Sequence, residues 1–228
     1  MLKRFIFGLG TGRCGTVSLS RLLDMQEGFA VSHEIVGGPL WEFNAGYIDL
    51  LMDRLFTYDG LVAGDVAYHL IPYVESLIER FRDSRFICLR RDREATIRSF
   101  RMKLSGRGHP WQIGIRNKQR SGWIGQFITA NIPDFTEVIG RYWIEYNDCA
   151  DEFQRRYPDR FRIWPMEALN TRAGQGEILS FAGVPEGKMM FDIGLRHNQS
   201  PPAYAAAGVS LVGADVRETD MPLEYPPT

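Results

Sequence analysis

Two hydrophobic rhythms alternate along this chain. Short unbroken apolar runs, of which Phe5–Leu9 is the first, have the length of buried strands; longer segments with leucines at helical spacing, such as Leu19, Leu22 and Leu23, read as helices packed on one face. The pattern predicts strands near 4–9, 29–33, 61–66, 85–90 and 161–165, and helices near 16–26, 39–56, 70–82, 92–104, 135–157 and 174–183. Strands alternating with helices imply an α/β fold, with a mainly parallel central sheet covered by helices on both faces. Residues 105–133 break the rhythm: Gly106, Gly108, Gly114, Gly122, Gly125 and Pro110 are mixed with Trp111 and Trp123. A long glycine- and aromatic-bearing connection predicts an acceptor-site or lid insertion, with a plain surface insertion as the alternative. The expected organisation is a single domain over residues 1–199, followed by a Pro/Ala/Gly-rich tail over 200–228.

The first strand and helix are joined by a turn containing Gly10, Gly12 and Gly15. Such a strand–turn–helix aims free backbone N–H groups and the positive end of a helix dipole at one point, where an anion can sit. Arg13 adds a full charge there, so the turn reads as a phosphate cradle. Three patterns compete for it. Gly10-x-x-x-x-Gly15-Thr16 has the glycine spacing of a Walker A loop but lacks the lysine, and Val17 stands where a magnesium-holding hydroxyl is needed. Gly10-x-Gly12-x-x-Gly15 fits the dinucleotide fingerprint, with Glu34 about where a ribose-binding acid belongs. The third is Arg13-Cys14-Gly15-Thr16 opening a helix, which resembles the 5′-phosphosulfate loop of sulfotransferases; Cys14 stands where that family often has Ser, and Val17 where it often has a second Thr.

A second motif lies downstream. Arg85-Phe-Ile-Cys-Leu-Arg-Arg91 reads as a strand ending in two arginines, and Asp92 caps a helix that carries Ser99. Arg91 and Ser99 resemble the sulfotransferase 3′-phosphate motif, a strand-end arginine and a serine on the next helix. Glu167-Ala-Leu and Ile178-Leu-Ser-Phe-Ala-Gly-Val-Pro185 resemble the tail of the same family, so the likeness covers roughly residues 4–186. The chain thus resembles the compact bacterial sulfotransferases that use 3′-phosphoadenylyl sulfate (PAPS) and are related to carbohydrate enzymes.

That resemblance implies a P-loop-containing nucleotide-binding fold, PAPS as sulfuryl donor and adenosine 3′,5′-bisphosphate as product. It implies nucleotide contacts from Gly12, Arg13, Cys14, Gly15, Thr16, Val17 and Ser18 at one end and from Arg91 and Ser99 at the other, with Arg13 also meeting the charge on the leaving group. An acceptor hydroxyl must lose its proton, and Ser32-His33-Glu34 ends the predicted second strand nearby. Glu34 is the first candidate base, as in compact carbohydrate enzymes, with His33 second; strand alternation predicts that only one of them faces the site. Asp65 reads either as an acceptor contact or as a loop or cap residue, and Arg196 and Asn198 match a late 3′-phosphate loop only loosely. The acceptor is a carbohydrate, a glycolipid or a small molecule. Two other readings stay open: an NAD(P)-binding Rossmann oxidoreductase, and a nucleotide-binding protein without catalysis.

Composition narrows the field further. A net charge of −1 over 228 residues gives no basis for nonspecific attraction to nucleic acid or membrane. Lys3, Lys103, Lys118 and Lys188 are the only lysines among 27 basic residues; the arginine excess fits polyanion recognition, and a GC-rich genome would produce it equally well. Cys14, Cys88 and Cys149 are widely spaced and read as reduced thiols, which predicts a cytoplasmic protein. Cys14 lacks the Cys-x₅-Arg spacing of a cysteine phosphatase, because six residues separate it from Arg21. The four histidines show no ligand spacing, and no apolar run reaches membrane-spanning length, so neither a metal nor a membrane anchor is expected.

Overall fold

The computed structural model describes residues 3–36, 45–104, 111–117, 122–128 and 135–194. β1 (Arg4–Gly10) runs through the middle of a five-stranded sheet, between β3 (Val62–Val66) and β4 (Arg85–Arg90). β2 (Phe29–His33) lies outside β3, and β7 (Phe161–Pro165) lies outside β4. All four pairings are parallel. A parallel sheet needs crossovers, and helices supply them: α1 (Thr16–Asp24), α2 (Ala45–Phe56), α3 (Val74–Arg80), α4 (Arg93–Leu104) and α5 (Phe135–Arg156) lie between strands, and α6 (Arg172–Ala182) follows the last one.

Alternation along β1 sends its side chains into two cores. Phe5, Phe7 and Leu9 pack with α2, α3, α4 and α5, whereas Ile6 packs with α1 and α6. The sheet is therefore covered on both faces, as the pattern predicted. α1 follows β1 and α4 follows the neighbouring β4, yet these helices leave to opposite faces. Between neighbouring strands whose connections part in this way a crevice opens, and open α/β sheets bind ligands there.

The strand order bears on one of the competing readings. In the dinucleotide-binding arrangement the second strand lies beside the first. Here β3 separates β2 from β1, so the end of β2 and its Glu34 sit one strand further out.

Two segments differ from expectation. The helix expected over 70–82 is a 3₁₀ turn (Tyr68–Tyr73) followed by α3, because Pro72 lacks the N–H that a continuous α-helix requires. Within 105–133, β5 (Trp111–Asn117) and β6 (Gly122–Ile128) form an antiparallel hairpin in which Gly114 pairs with Gly125. The paired glycines hide the strand pattern in the sequence. β5 runs alongside α5. The start of the helix expected from residue 39, Arg196, Asn198 and the 200–228 tail lie outside the described residues. No helix among the described residues is long and apolar enough to cross a membrane.

Candidate anion and proton-transfer site

The turn after β1 is held in a conformation that glycine favours. Gly12 and Gly15 have φ of 74° and 88°, and a Cβ on Gly10 would lie 2.2 Å from Cys14 Sγ and 2.9 Å from the Leu89 carbonyl oxygen. Arg13 shares the left-handed region at φ 58° without glycine's freedom. Such strain persists only where the surroundings over-determine it. Arg91 Nη1 donates to the Arg13 carbonyl oxygen at 2.8 Å, and Arg13 Nε donates to Ser99 Oγ at 3.1 Å. The two arginine motifs, 78 residues apart in the chain, thus meet in one place.

That place favours an anion. Gly15 at the N-cap brings no side chain to bond the first helical amides, so the positive end of α1 faces the turn. Burial, and then the charge of Arg91, lower the Arg13 pKa; each disfavours a cation, and a bound phosphate would relieve both. Arg91 Nε is buried without a hydrogen-bond partner among the described residues. A cavity of about 470 Å³ opens on the β7 side of Arg91; its lining includes Arg93, Trp143, Pro165 and Glu167 and, among the described residues, neither Arg13 nor Ser99 nor any other residue of the turn. Its size falls within the range of small-molecule sites, about 300–1,000 Å³.

The consecutive strand-end arginines divide their work. Arg90 donates through Nε to Asn147 Oδ1 at 2.7 Å and pairs with Asp151 on α5, so it is spent on the fold. Arg91 turns the other way, to the cradle.

Cys14 is fully buried, and burial pushes its thiol pKa up to about 12, so it is a packing residue of the turn and no thiolate. Thr16 Oγ1 at the helix start is hydrogen-bonded with His33 Nε2 at 3.1 Å. Val17 and Ser18, half-buried, complete the first turn. Of the contacts expected from 12 to 18, Gly12, Arg13, Gly15, Val17 and Ser18 are partly exposed, whereas Cys14 has zero exposure and Thr16 is buried against His33 at the end of β2.

The alternation argument for His33 and Glu34 does not hold. β2 ends at His33, and Glu34 bends into the left-handed region at φ 53°. The bend brings Glu34 Oε1 to 3.8 Å from His33 Nε2, so both side chains lie together. Burial lowers the His33 pKa, which favours a neutral imidazole. Glu34 acts electrostatically on a tyrosine wall: it contributes, after burial, to the raised pKa of Tyr68, pushed up to about 12. Tyr47 is likewise raised, by burial first and then by Asp65, Tyr73 and Glu34. Tyr47 Oη is hydrogen-bonded with His69 Nε2 at 2.7 Å, and burial takes the His69 pKa down to about 4. Asp65 is fully buried and accepts from Ser32 Oγ at 2.8 Å and from the Ile35 N–H at 3.2 Å. Of the two roles open to Asp65 in the sequence, the structure assigns the loop-holding one. Among the described residues no cluster of three or more His, Cys, Asp or Glu could hold a metal.

Sequence reasoning missed the brace beneath the cradle. Tyr142, Trp143 and Tyr146 on α5 read as helical core. In the structure Tyr142 Oη donates to the Thr11 carbonyl oxygen at 3.0 Å, Tyr146 Oη accepts from the Gly10 N–H at 2.9 Å, and Trp143 Nε1 donates to the Arg91 carbonyl oxygen at 2.9 Å. One turn of helix thereby fixes the backbone of both arginine loops. The only sequence signal is that all three aromatics carry a polar tip, which a buried ring must satisfy.

No family model matches the chain, and no curated protein matches it in sequence.

Proposed function

We propose that this chain is a sulfotransferase that moves the sulfuryl group of 3′-phosphoadenylyl sulfate to a hydroxyl of a carbohydrate, glycolipid or small-molecule acceptor. One observation carries the reading: Arg13, Ser99 and Arg91 form a single hydrogen-bonded set at the crevice between β1 and β4. A mononucleotide with phosphates at both the 3′ and 5′ positions presents two dianions a few ångströms apart, and two arginines on adjacent loops match that demand. The strand order, with β3 between β2 and β1, supports a P-loop-containing fold over a dinucleotide-binding one.

In this reading the turn amides of Gly15 to Val17 and the Arg13 guanidinium hold the 5′-phosphate, and Arg91 with Ser99 holds the 3′-phosphate. The bond from sulfur to the bridging oxygen breaks while the acceptor oxygen bonds to sulfur in line. Adenosine 3′,5′-bisphosphate leaves with the electron pair, and the acceptor proton passes to Glu34, or to His33 beside it. Such a loose, in-line transfer is accelerated chiefly by positioning and by charge placed where the leaving group becomes negative. A general base adds roughly 10²–10⁴-fold.

The deciding experiment is thermal denaturation with adenosine 3′,5′-bisphosphate, ATP or NAD. At a hundredfold excess over Kd a specific ligand stabilises by about 2.7 kcal/mol, a rise in Tm of roughly 5–10 °C for a domain of this size. The bisphosphate is expected to give that rise and the others not. A larger rise with NAD, or none with the bisphosphate, overturns the proposal.

A further inference from the structure

We propose that Asp65 is a positioning residue that holds the Glu34 carboxylate in place for proton transfer, acting through the backbone bend at the end of β2. The inference rests on the proposed role of Glu34 as base and goes beyond it.

Among the described residues only two that are not glycine have positive φ: Arg13 in the cradle and Glu34. A glutamate in that region is uncommon, and it stays there only if something else pins the chain. Without the bend, Glu34 would point away from His33, as alternation along a strand requires. The bend instead places the two side chains 3.8 Å apart.

The pin is the Asp65 carboxylate. Its Oδ1 takes one hydrogen bond from Ser32, two residues before Glu34, and another from the amide of Ile35, one residue after it. The Glu34 amide itself donates to the Val66 carbonyl oxygen at 3.2 Å, so the bend is tied to β3 on three sides. A carboxylate is a costly choice for this purpose. Asp65 has zero exposure, pairs with no cation among the described residues, and leaves Oδ2 without a hydrogen-bond partner. Burial accordingly raises its pKa, against the Ser32 hydroxyl and the amides of Ile35, Val66 and Glu34, which hold it down. An apolar side chain would fill the position without that cost. What only an acceptor can supply is the clamp on either side of Glu34.

The test compares Asp65→Ala, Asp65→Asn and Ser32→Ala, each alone and with Glu34→Gln. Sulfuryl transfer from 3′-phosphoadenylyl sulfate is measured to p-nitrophenyl β-galactoside and, without it, to water; bisphosphate Kd is measured in parallel. Asp65→Ala is expected to lower kcat about 10–100-fold, as a displaced catalytic group does, with Kd within about threefold. Asp65→Asn keeps the Oδ1 acceptor and should recover most of the rate. Ser32→Ala removes one arm of the clamp and lowers kcat by a smaller factor; it keeps the test decisive if Asp65→Ala does not fold. On the Glu34→Gln background none of these changes should lower kcat further, because contacts that act through one group are not additive. A loss that persists undiminished on that background, or a wild-type kcat in both Asp65→Ala and Ser32→Ala, overturns the positioning role alone. A wild-type kcat in Glu34→Gln overturns the choice of base, and no transfer by the wild type to either acceptor overturns the catalytic reading itself.

Discussion

The Arg91 guanidinium donates a 2.8 Å hydrogen bond to the carbonyl oxygen of Arg13, joining the turn after β1 to the end of β4. The bond ties one cation to the backbone that carries the other, so neither can be aimed independently. Arg13 in turn reaches Ser99 on α4. A ligand that binds one arginine therefore meets a site whose second half is already in position, and little ordering entropy remains to be lost.

Arg91→Ala should weaken adenosine 3′,5′-bisphosphate about 10–100-fold, the worth of a charged hydrogen-bond donor. Adenosine 5′-monophosphate should lose less, through the looser turn alone. Isothermal titration of both nucleotides checks this, and equal losses would remove Arg91 from the 3′ end.

Gly10→Ala should be among the most disruptive single-methyl changes in the chain. The added carbon meets Cys14 Sγ and the Leu89 carbonyl oxygen, and the backbone there has φ 153°. A loss of roughly 2–4 kcal/mol in urea denaturation is expected, by overpacking and backbone strain. A second change, Cys14→Ala, should recover part of it by vacating the space.

Tyr146→Phe removes the acceptor for the Gly10 N–H while keeping the ring. A buried donor left alone costs about 1–3 kcal/mol. Bisphosphate affinity should fall with stability, because the same amide opens the cradle. Loss of stability with unchanged affinity would mean that the brace supports only the fold.

The His69 site makes acid sensitivity testable. Its folded-state pKa of about 4 lies below the value of about 6.5 in an unfolded chain, so the unfolded state takes up the proton first as pH falls. The stability this group contributes is complete above pH ~6.5 and is lost as pH drops toward 4, by up to about 1.4 kcal/mol per unit. His69→Gln can keep a bond to Tyr47 yet cannot take up that proton. Denaturation at pH 7.5 and pH 5.0 should therefore show the variant gaining roughly 2 kcal/mol on the wild type at the lower pH.

Local order was legible in the sequence and its assembly only partly so. The apolar run of β1 and the leucines of α1 declare a strand and a helix, because burial of one face is written in their spacing. The hairpin of β5 and β6 escaped, since Gly114 and Gly125 pair across it and read as loop residues. The place of β3 beside β1 could not be read, for crossover length does not say on which side a strand returns. In the site, the residue types around Arg13 and Arg91 marked two arginine-bearing loops, and the structure joins them. What the phenols of Tyr142 and Tyr146 touch was not written in their helical period, which reports burial and not partners. For His33 and Glu34 the period itself misled, because a left-handed bend replaced the last extended residue.

The brace on α5 also has a consequence for the order in which the protein is made. Gly10 and Tyr146 are 136 positions apart, and Thr11 and Tyr142 are 131 apart. On the ribosome the opening strand emerges long before either phenol exists, and its neighbours β3 and β4 arrive in between. The arginine-bearing site is thus begun with the first turn synthesised and finished near the end of the domain. A chain truncated before residue 142 would carry every arginine of the pocket and still lack the parts that shape it.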